Sequence, residues 1–211
     1  MFFRALLFVL LLLIPGLAFA RPINFIVNDE LGRDNVSFTS DAPIELIVGR
    51  TTKIKGKITL DDSLDLKKIS PKVSFEVDLA SIDTGISLRN EHMRDNFLET
   101  KKYPKAVFNV SSVVVDPPGK LIDGNSLTIN AKGDFALHGI KVKKDIPVKV
   151  TYLKESETTH SRFPKGNIVR VQSTFDVPLE QHKIKRPEAI FQKLANTVKV
   201  TIDAYAVSEE K

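Results

Sequence analysis

Along most of the chain, apolar and polar residues alternate with a period of two. In Ile54-Lys55-Gly56-Lys57-Ile58-Thr59-Leu60 the apolar and small residues fall on even positions and the lysines on odd ones. Val73, Phe75, Val77 and Leu79 share one parity against Lys72, Ser74, Glu76 and Asp78. Leu127, Ile129, Ala131, Gly133, Phe135 and Leu137 do the same against Thr128, Asn130, Lys132 and Asp134. The pattern runs on through Val142, Ile146, Val148 and Val150, then Val169, Val171, Phe175, Val177 and Leu179, and finally Val198, Val200, Ile202, Ala204 and Ala206. Successive side chains of a strand point to opposite faces, so each stretch predicts a strand with one buried and one wet side. Shorter candidates at residues 25–27, 36–38, 44–48 and 106–110 bring the total to about eight to ten strands.

Turn chemistry separates these runs. Asp61-Asp62, Asp116-Pro117-Pro118-Gly119 and Asp123-Gly124-Asn125 supply the fixed or positive φ values that tight reversals need, and connections this short imply antiparallel neighbours. The longest polar gap, residues 154–167, reads as a hairpin tip projecting from the body. Residues 85–98 break the alternation. There Arg89, Met93 and Phe97 fall four apart with Ile86 on the same side of the wheel, predicting a helix capped by Thr84 or Ser87. A weaker helical turn is predicted around residues 187–194.

Strands with one apolar face each close as a sandwich or as a barrel. Small residues at inward positions, Gly56, Ala131, Gly133, Ala204 and Ala206, favour a barrel, because they ease sharp bends and leave volume inside an eight-stranded ring. The pattern leaves open whether larger neighbours fill that volume.

Composition narrows the chemistry. The 211 residues include no cysteine and no tryptophan, which excludes a disulfide scaffold, a thiol nucleophile, Cys-ligated metals and a lipidated leader. Residues 1–20 carry one charge, Arg4, an apolar run over residues 5–14, a Pro15-Gly16 break and Ala18-Phe19-Ala20. This is the layout of a cleavable secretory signal, and its apolar run is shorter than the ~20 residues a spanning helix needs. Cleavage after Ala20 is expected to leave residues 21–211 as a single exported domain, periplasmic in a double-membraned bacterium.

Three motifs occur in order: Ser81-Ile82-Asp83-Thr84-Gly85 with Arg89-Asn90-Glu91-His92-Met93-Arg94, Phe97-Leu98 and Lys102-Tyr103-Pro104; Gly133-Asp134-Phe135-Ala136-Leu137-His138-Gly139-Ile140; and Ser173-Thr174-Phe175-Asp176-Val177-Pro178-Leu179. Over residues 22–207 the chain resembles the YceI-like, polyisoprenoid-binding family. The resemblance implies an all-β fold, an extended antiparallel lipocalin-like barrel of about eight strands with a short helix at one mouth. It also implies a periplasmic setting and a long isoprenoid or fatty amphiphile held in the interior, with no catalytic residues to carry over.

If the interior is a lipid cavity, Phe75, Phe108, Phe135 and Phe175 are expected to form its aromatic walls. Val77, Leu79, Met93, Phe97, Ile129, Leu137, Val148, Val171 and Ile202 complete the expected lining. Each of these residues serves equally well as plain core. A forty-carbon tail at ~0.8 kcal/mol per carbon nominally gains about 30 kcal/mol, beyond the affinity ceiling near 20, so chain ordering must consume much of it. Tight holding with little head-group selectivity is therefore expected.

The cluster Asp83, Arg89, Glu91, His92 and Arg94 invites an acid/base reading, but the same residues serve as caps and ion pairs pinning a lid helix, with Asp83 anchoring the loop that enters it. His92, His138, His160 and His182 lie far apart without ligand spacing, so neither a metal nor another cofactor is expected. A nucleophile elbow, a P-loop and a dinucleotide turn are missing as well, which argues against an enzyme.

The formal charge is +5, with basic runs at Lys53-Ile54-Lys55-Gly56-Lys57, Lys141-Val142-Lys143-Lys144 and Lys183-Ile184-Lys185-Arg186. In the first two, alternation puts the charges on an outer strand face. Without interleaved aromatics they argue against nucleic acid and fit weak docking to an anionic membrane surface. The alternative function is a structural or stress-associated interaction module of the cell envelope with a filled barrel. The oligomeric state stays open, a homodimer included.

Overall fold

The computed structural model describes residues 21–66, 72–115, 119–187, 190 and 192–209. The expected signal over residues 1–20 and the turn at residues 116–118 lie outside the described residues. Ten strands form one antiparallel sheet: β1 (Pro22–Val27), β2 (Asn35–Ala42), β3 (Glu45–Thr51), β4 (Ile54–Asp61), β5 (Lys72–Asp78), β6 (Lys105–Val115), β7 (Ser126–Leu137), β8 (Ile140–Leu153), β9 (Ile168–Pro178) and β10 (Thr197–Ser208).

The sheet order is β1-β4-β5-β6-β7-β8-β9-β10-β2-β3, and β1 also pairs with β10. Eight strands thus close a ring, as expected, through Phe25 opposite Ser208 and Ile26 opposite Val207. Higher on β10, the register from Asp203 opposite Asn35 to Lys199 opposite Thr39 belongs to β2. One edge of β10 is therefore shared by β1 below and β2 above. The β2–β3 hairpin rises from the ring as a wing, and among the described residues β3 meets no strand on its outer edge beyond a single bridge, Arg50 to Asp83.

Where β1 hands over to β2, β10 has an amide without a strand partner. Asp34, fully buried, supplies it: its Oδ1 accepts from Tyr205 N at 2.8 Å. Its other oxygen has no partner among the described residues, and burial pushes the carboxyl up to about 6.

Alternation decides which face is buried. Ile129, Ala131, Phe135 and Leu137 on β7 and Ile146, Val148 and Val150 on β8 are buried, while the residues between them face water or its margin. The β7–β8 reversal is a two-residue turn in which His138 and Gly139 have φ of 51° and 74°, the geometry whose twist matches a hairpin. Below, the ring is capped by Leu66 and Leu121, both buried, from connections joined by Leu121 N to Leu64 O at 2.9 Å.

Several expectations are corrected. Among the five small residues, only Ala131 lines a hollow. A Cβ on Gly56 would lie 2.3 Å from the Phe75 ring, so that ring fills the space the glycine leaves. Gly133 sits opposite the β6 bulge between Val110 and Ser112, where a Cβ would come 2.1 Å from Asn109 O; backbone approach requires the glycine there. The segment 154–167 does not project freely. It forms a capped turn, α2 (Glu157–His160), and folds back so that Phe163 packs on Tyr205 beneath the Arg33 guanidinium.

The predicted helix forms as α1 (Ser87–His92) followed by one wider turn, Met93–Phe97. Neither Thr84 nor Ser87 caps it, since the capping position is Ile86. Instead Asn90, inside the helix, reaches back and takes over the bonds of the incoming loop. Around residues 187–194, turn bonds from Ile190 N to Pro187 O and from Leu194 N to Ile190 O are present; residues 188, 189 and 191 lie outside the described residues.

Candidate functional site

The buried faces of the strands do not fill the barrel. A deep chamber of about 110 Å³ and an upper chamber of about 830 Å³ share Val77, Ala106, Phe135, Phe175 and Ile202 as walls, so they meet at a waist. Phe135 and Phe175 stand edge to face across part of that waist, with centroids 5.8 Å apart. Below it, every lining residue but Ser173 is apolar, and the Ser173 hydroxyl already donates to Pro147 O at 2.7 Å. Water entering such a chamber finds almost no partner, whereas an oily tail loses nothing.

The upper chamber is walled on one side by the wing, on another by the connection over residues 79–98, which crosses the gap beside β3 as a strap. The β9–β10 connection forms a third wall. Three ties hold the strap to β3. Arg50 and Asp83 exchange backbone hydrogen bonds of 2.9 and 3.0 Å, the Thr51 and Ser81 hydroxyls lie 2.6 Å apart, and Arg89 Nη1 donates to Glu45 Oε1 at 2.8 Å.

Within the strap, Asn90 Oδ1 accepts from Thr84 N and Thr84 Oγ1 at 2.8 and 2.7 Å, and its Nδ2 donates to Asp83 Oδ1 at 2.6 Å. Arg89 completes the knot through Thr84 Oγ1 and Thr84 O. The Gly85 amide, then Asn90, hold the Asp83 carboxyl below the ordinary carboxylate range. A carboxylate kept ionised and engaged in this way is an anchor, as expected, and a poor proton acceptor. Glu91 points to solvent, so the acid/base cluster does not converge.

Beneath the upper floor, His182 is fully buried against Phe135, with ring centroids 5.3 Å apart. Burial pushes its imidazole below the ordinary histidine range, leaving a neutral ring whose Nδ1 lies 3.3 Å from Ile140 O.

The thirteen residues expected to line a hollow all face one. Phe75, Phe108, Ile129, Val148 and Val171 border the deep chamber; Leu79, Met93, Phe97 and Leu137 border the upper one; Val77, Phe135, Phe175 and Ile202 belong to both. Sequence reasoning missed the wing, whose Val36, Phe38, Ile47 and Gly49 line the upper chamber, and the wall formed by Ile184, Ile190 and Leu194. The shared parity of Val36 with Phe38 and of Ile47 with Gly49 was the available signal. It is obscured because Ile44, Leu46 and Val48 on the opposite face are apolar and exposed.

A closed antiparallel ring with a strapped mouth and an oily interior defines a lipocalin-like barrel. The chain belongs to the YceI-like domain family, whose model matches residues 32–206. A UPF0312 protein of Vibrio campbellii is 29% identical over 137 residues, 64% of this chain and 65% of the relative, so the match spans a little under two thirds of that protein's length. One from Shewanella denitrificans is 28% identical over 154 residues, 72% of this chain and 73% of the relative.

Two solved structures share the fold at low identity. BcnA of Burkholderia cenocepacia superposes with a TM-score of 0.65 at 17% identity, covering 86% of this chain and 99% of that one. A polyisoprenoid binding domain from Saccharophagus degradans, implicated in plant cell wall breakdown, gives 0.65 at 19% identity, covering 88% and 98%.

Proposed function

We propose that this protein binds and carries a long-chain isoprenoid or fatty amphiphile with its tail in the barrel, without catalysing a reaction on it. The observation that carries the reading is the continuity of an apolar hollow from the mouth through the waist to a deep end with no disengaged polar group. The Saccharophagus domain's description as polyisoprenoid binding supports the same class of ligand. The mechanism is partition: the tail exchanges one oily phase for another, and the protein's work is to shield it from water in transit.

The reading includes export by residues 1–20 and action in the periplasm, for which a mature N-terminus at Arg21 is the expected mass-spectrometric result. Loading occurs at an anionic bilayer. Ile44, Leu46 and Val48 on the wing and Ile86 and Leu88 on the strap are all exposed at the mouth end. Lys183, exposed on the β9–β10 connection, has no partner among the described residues. Of the three basic runs, the second is less available: Lys143 pairs with Asp134 at 2.8 Å and Lys144 donates to Asp176 O.

Native mass spectrometry of protein purified without detergent from its own host tests the proposal. A bound lipid-sized mass that organic extraction removes is expected. A clean protein mass, with no uptake of a fluorescent lipid, would return the filled interaction module.

A further inference from the structure

We infer that, against the expectation of little head-group selectivity, the rim of the upper chamber selects a tail ending in an oxyanion, a phosphate or a carboxylate, through Lys185 and Lys193; this rests on the tail-binding reading above. The polar residues at the rim divide into engaged and disengaged groups. Glu45 and Arg89 neutralise each other at 2.8 Å, and Arg89 Nε and Nη2 donate to Thr84 Oγ1 and Thr84 O. Lys185 and Lys193 line the same chamber, and among the described residues neither ammonium has a partner. Among the described residues the rim's one carboxylate is already paired, so the two lysines put net positive charge at the opening of an apolar hollow, where field lines concentrate and a negative group is drawn in.

The backbone on either side of the two lysines is tied down. Arg186 Nη1 donates to Leu194 O at 2.8 Å, which folds the β9–β10 connection so that residues 185 and 193 share one wall. That connection is fastened to the wing by Ile44 N to Gln192 O at 3.1 Å and by Ala195 N to the fully buried Ser40 hydroxyl at 2.9 Å. Over residues 183–193 the sequence holds Lys183, Lys185, Arg186 and Lys193 against one acid, Glu188, so the local charge is of the same sign. A neutral alcohol head would leave both charges unused.

Farnesyl phosphate and farnesol carry the same tail and differ in the head, so the two are compared by displacement of a fluorescent lipid probe in vesicle-free buffer at low salt. Wild-type protein is expected to bind the phosphate tenfold or more tighter than the alcohol, a margin that ion-assisted hydrogen bonds supply. In the double variant Lys185→Gln, Lys193→Gln that margin should close, with farnesol affinity and melting temperature unchanged because both side chains are exposed. Inorganic phosphate alone should displace nothing, which ties the preference to an anchored head and not to a free-anion site. Lys55→Gln with Lys57→Gln, on the outer face of β4, should keep the margin. Equal affinity for the two heads, a preference that survives the first double variant, or displacement by phosphate alone would overturn the inference while leaving tail binding intact. Failure of both farnesyl compounds to bind would remove the tail-binding reading, and the inference with it.

Discussion

At the lower end of the barrel, β1 is paired on both edges, with β4 and β10, and the connections carrying Leu66 and Leu121 close over the opening. At the upper end, β3 is paired on one edge, and the gap beside it is crossed by a strap held at three points. Both ends use the same alternating strands. The difference lies in what finishes the hydrogen bonds: strands below, side chains and a short helix above. Ladder closure makes a rigid floor over a small dry chamber, whereas local ties make a mouth that can open at the cost of a few bonds. On the proposed function, the fold would separate holding, at the deep apolar end, from admission, at the strapped end.

The largest expected effect comes from cutting the two chambers apart. Ile202 walls both, and Ile202→Trp should fill the waist. Affinity for a long tail is expected to fall about a hundredfold, roughly the loss of three or four buried methylenes, while a short tail that stops in the upper chamber binds as before. Titration of the two ligands against one variant measures this, and equal losses for both would show that the chambers do not work in series.

At the seam between the two ends, Asp34 gives a prediction in pH. Its carboxyl is raised from 3.8 to about 6, so the folded state favours the protonated form. The stability linked to this group is full below pH 3.8 and is lost as pH rises through 6, after which a constant penalty of about 3 kcal/mol remains. Asp34→Asn keeps the acceptor for Tyr205 N and removes the charge. The variant should melt higher than wild type at pH 7.5, with the gap shrinking below pH 6 and vanishing near pH 4. A gap independent of pH would refute the assignment.

Loosening the strap should matter less to stability and more to exchange. Asn90→Ala strands Thr84 and Asp83 and is expected to cost about 1–3 kcal/mol, with probe release accelerated. Asp83→Ala should lower the melting temperature in the same direction. Unchanged release in both variants would mean that the strap is not the gate.

The smallest effect on stability is expected at the wing's outer face. Leu46→Ser with Val48→Ser, both exposed, should leave the melting temperature nearly unchanged yet weaken salt-sensitive association with anionic vesicles. Vesicle binding that ignores both salt and the substitutions would discard the docking surface.

The strands of the lower barrel are legible in the sequence because β7 and β8 alternate cleanly, with Lys132, Asp134, Lys143 and Asp145 marking the outside. The wing is harder to read. Ile44, Leu46, Ile47 and Val48 are apolar on both parities, and a strand whose outer face also carries apolar residues gives no period-two signal for the inner one. Gly56 and Gly133 read as unfilled space, but their roles depend on a cross-strand ring and on a bulge, neither visible in one strand alone. Asp34 draws its role from the distant Tyr205 amide, and Lys185 and Lys193 share a chamber wall only through the fold of the β9–β10 connection, so no local spacing announces them.

The central claim, one hollow running from mouth to floor, is tested most directly by affinity measured against tail length. For straight-chain alcohols followed below their solubility limits, each added carbon should tighten binding by up to about fourfold, ~0.8 kcal/mol per methylene less the cost of ordering the tail, and the trend should continue past the waist. It should level off only when the tail has filled both chambers. Affinity that does not respond to tail length from the shortest members onward would contradict the account.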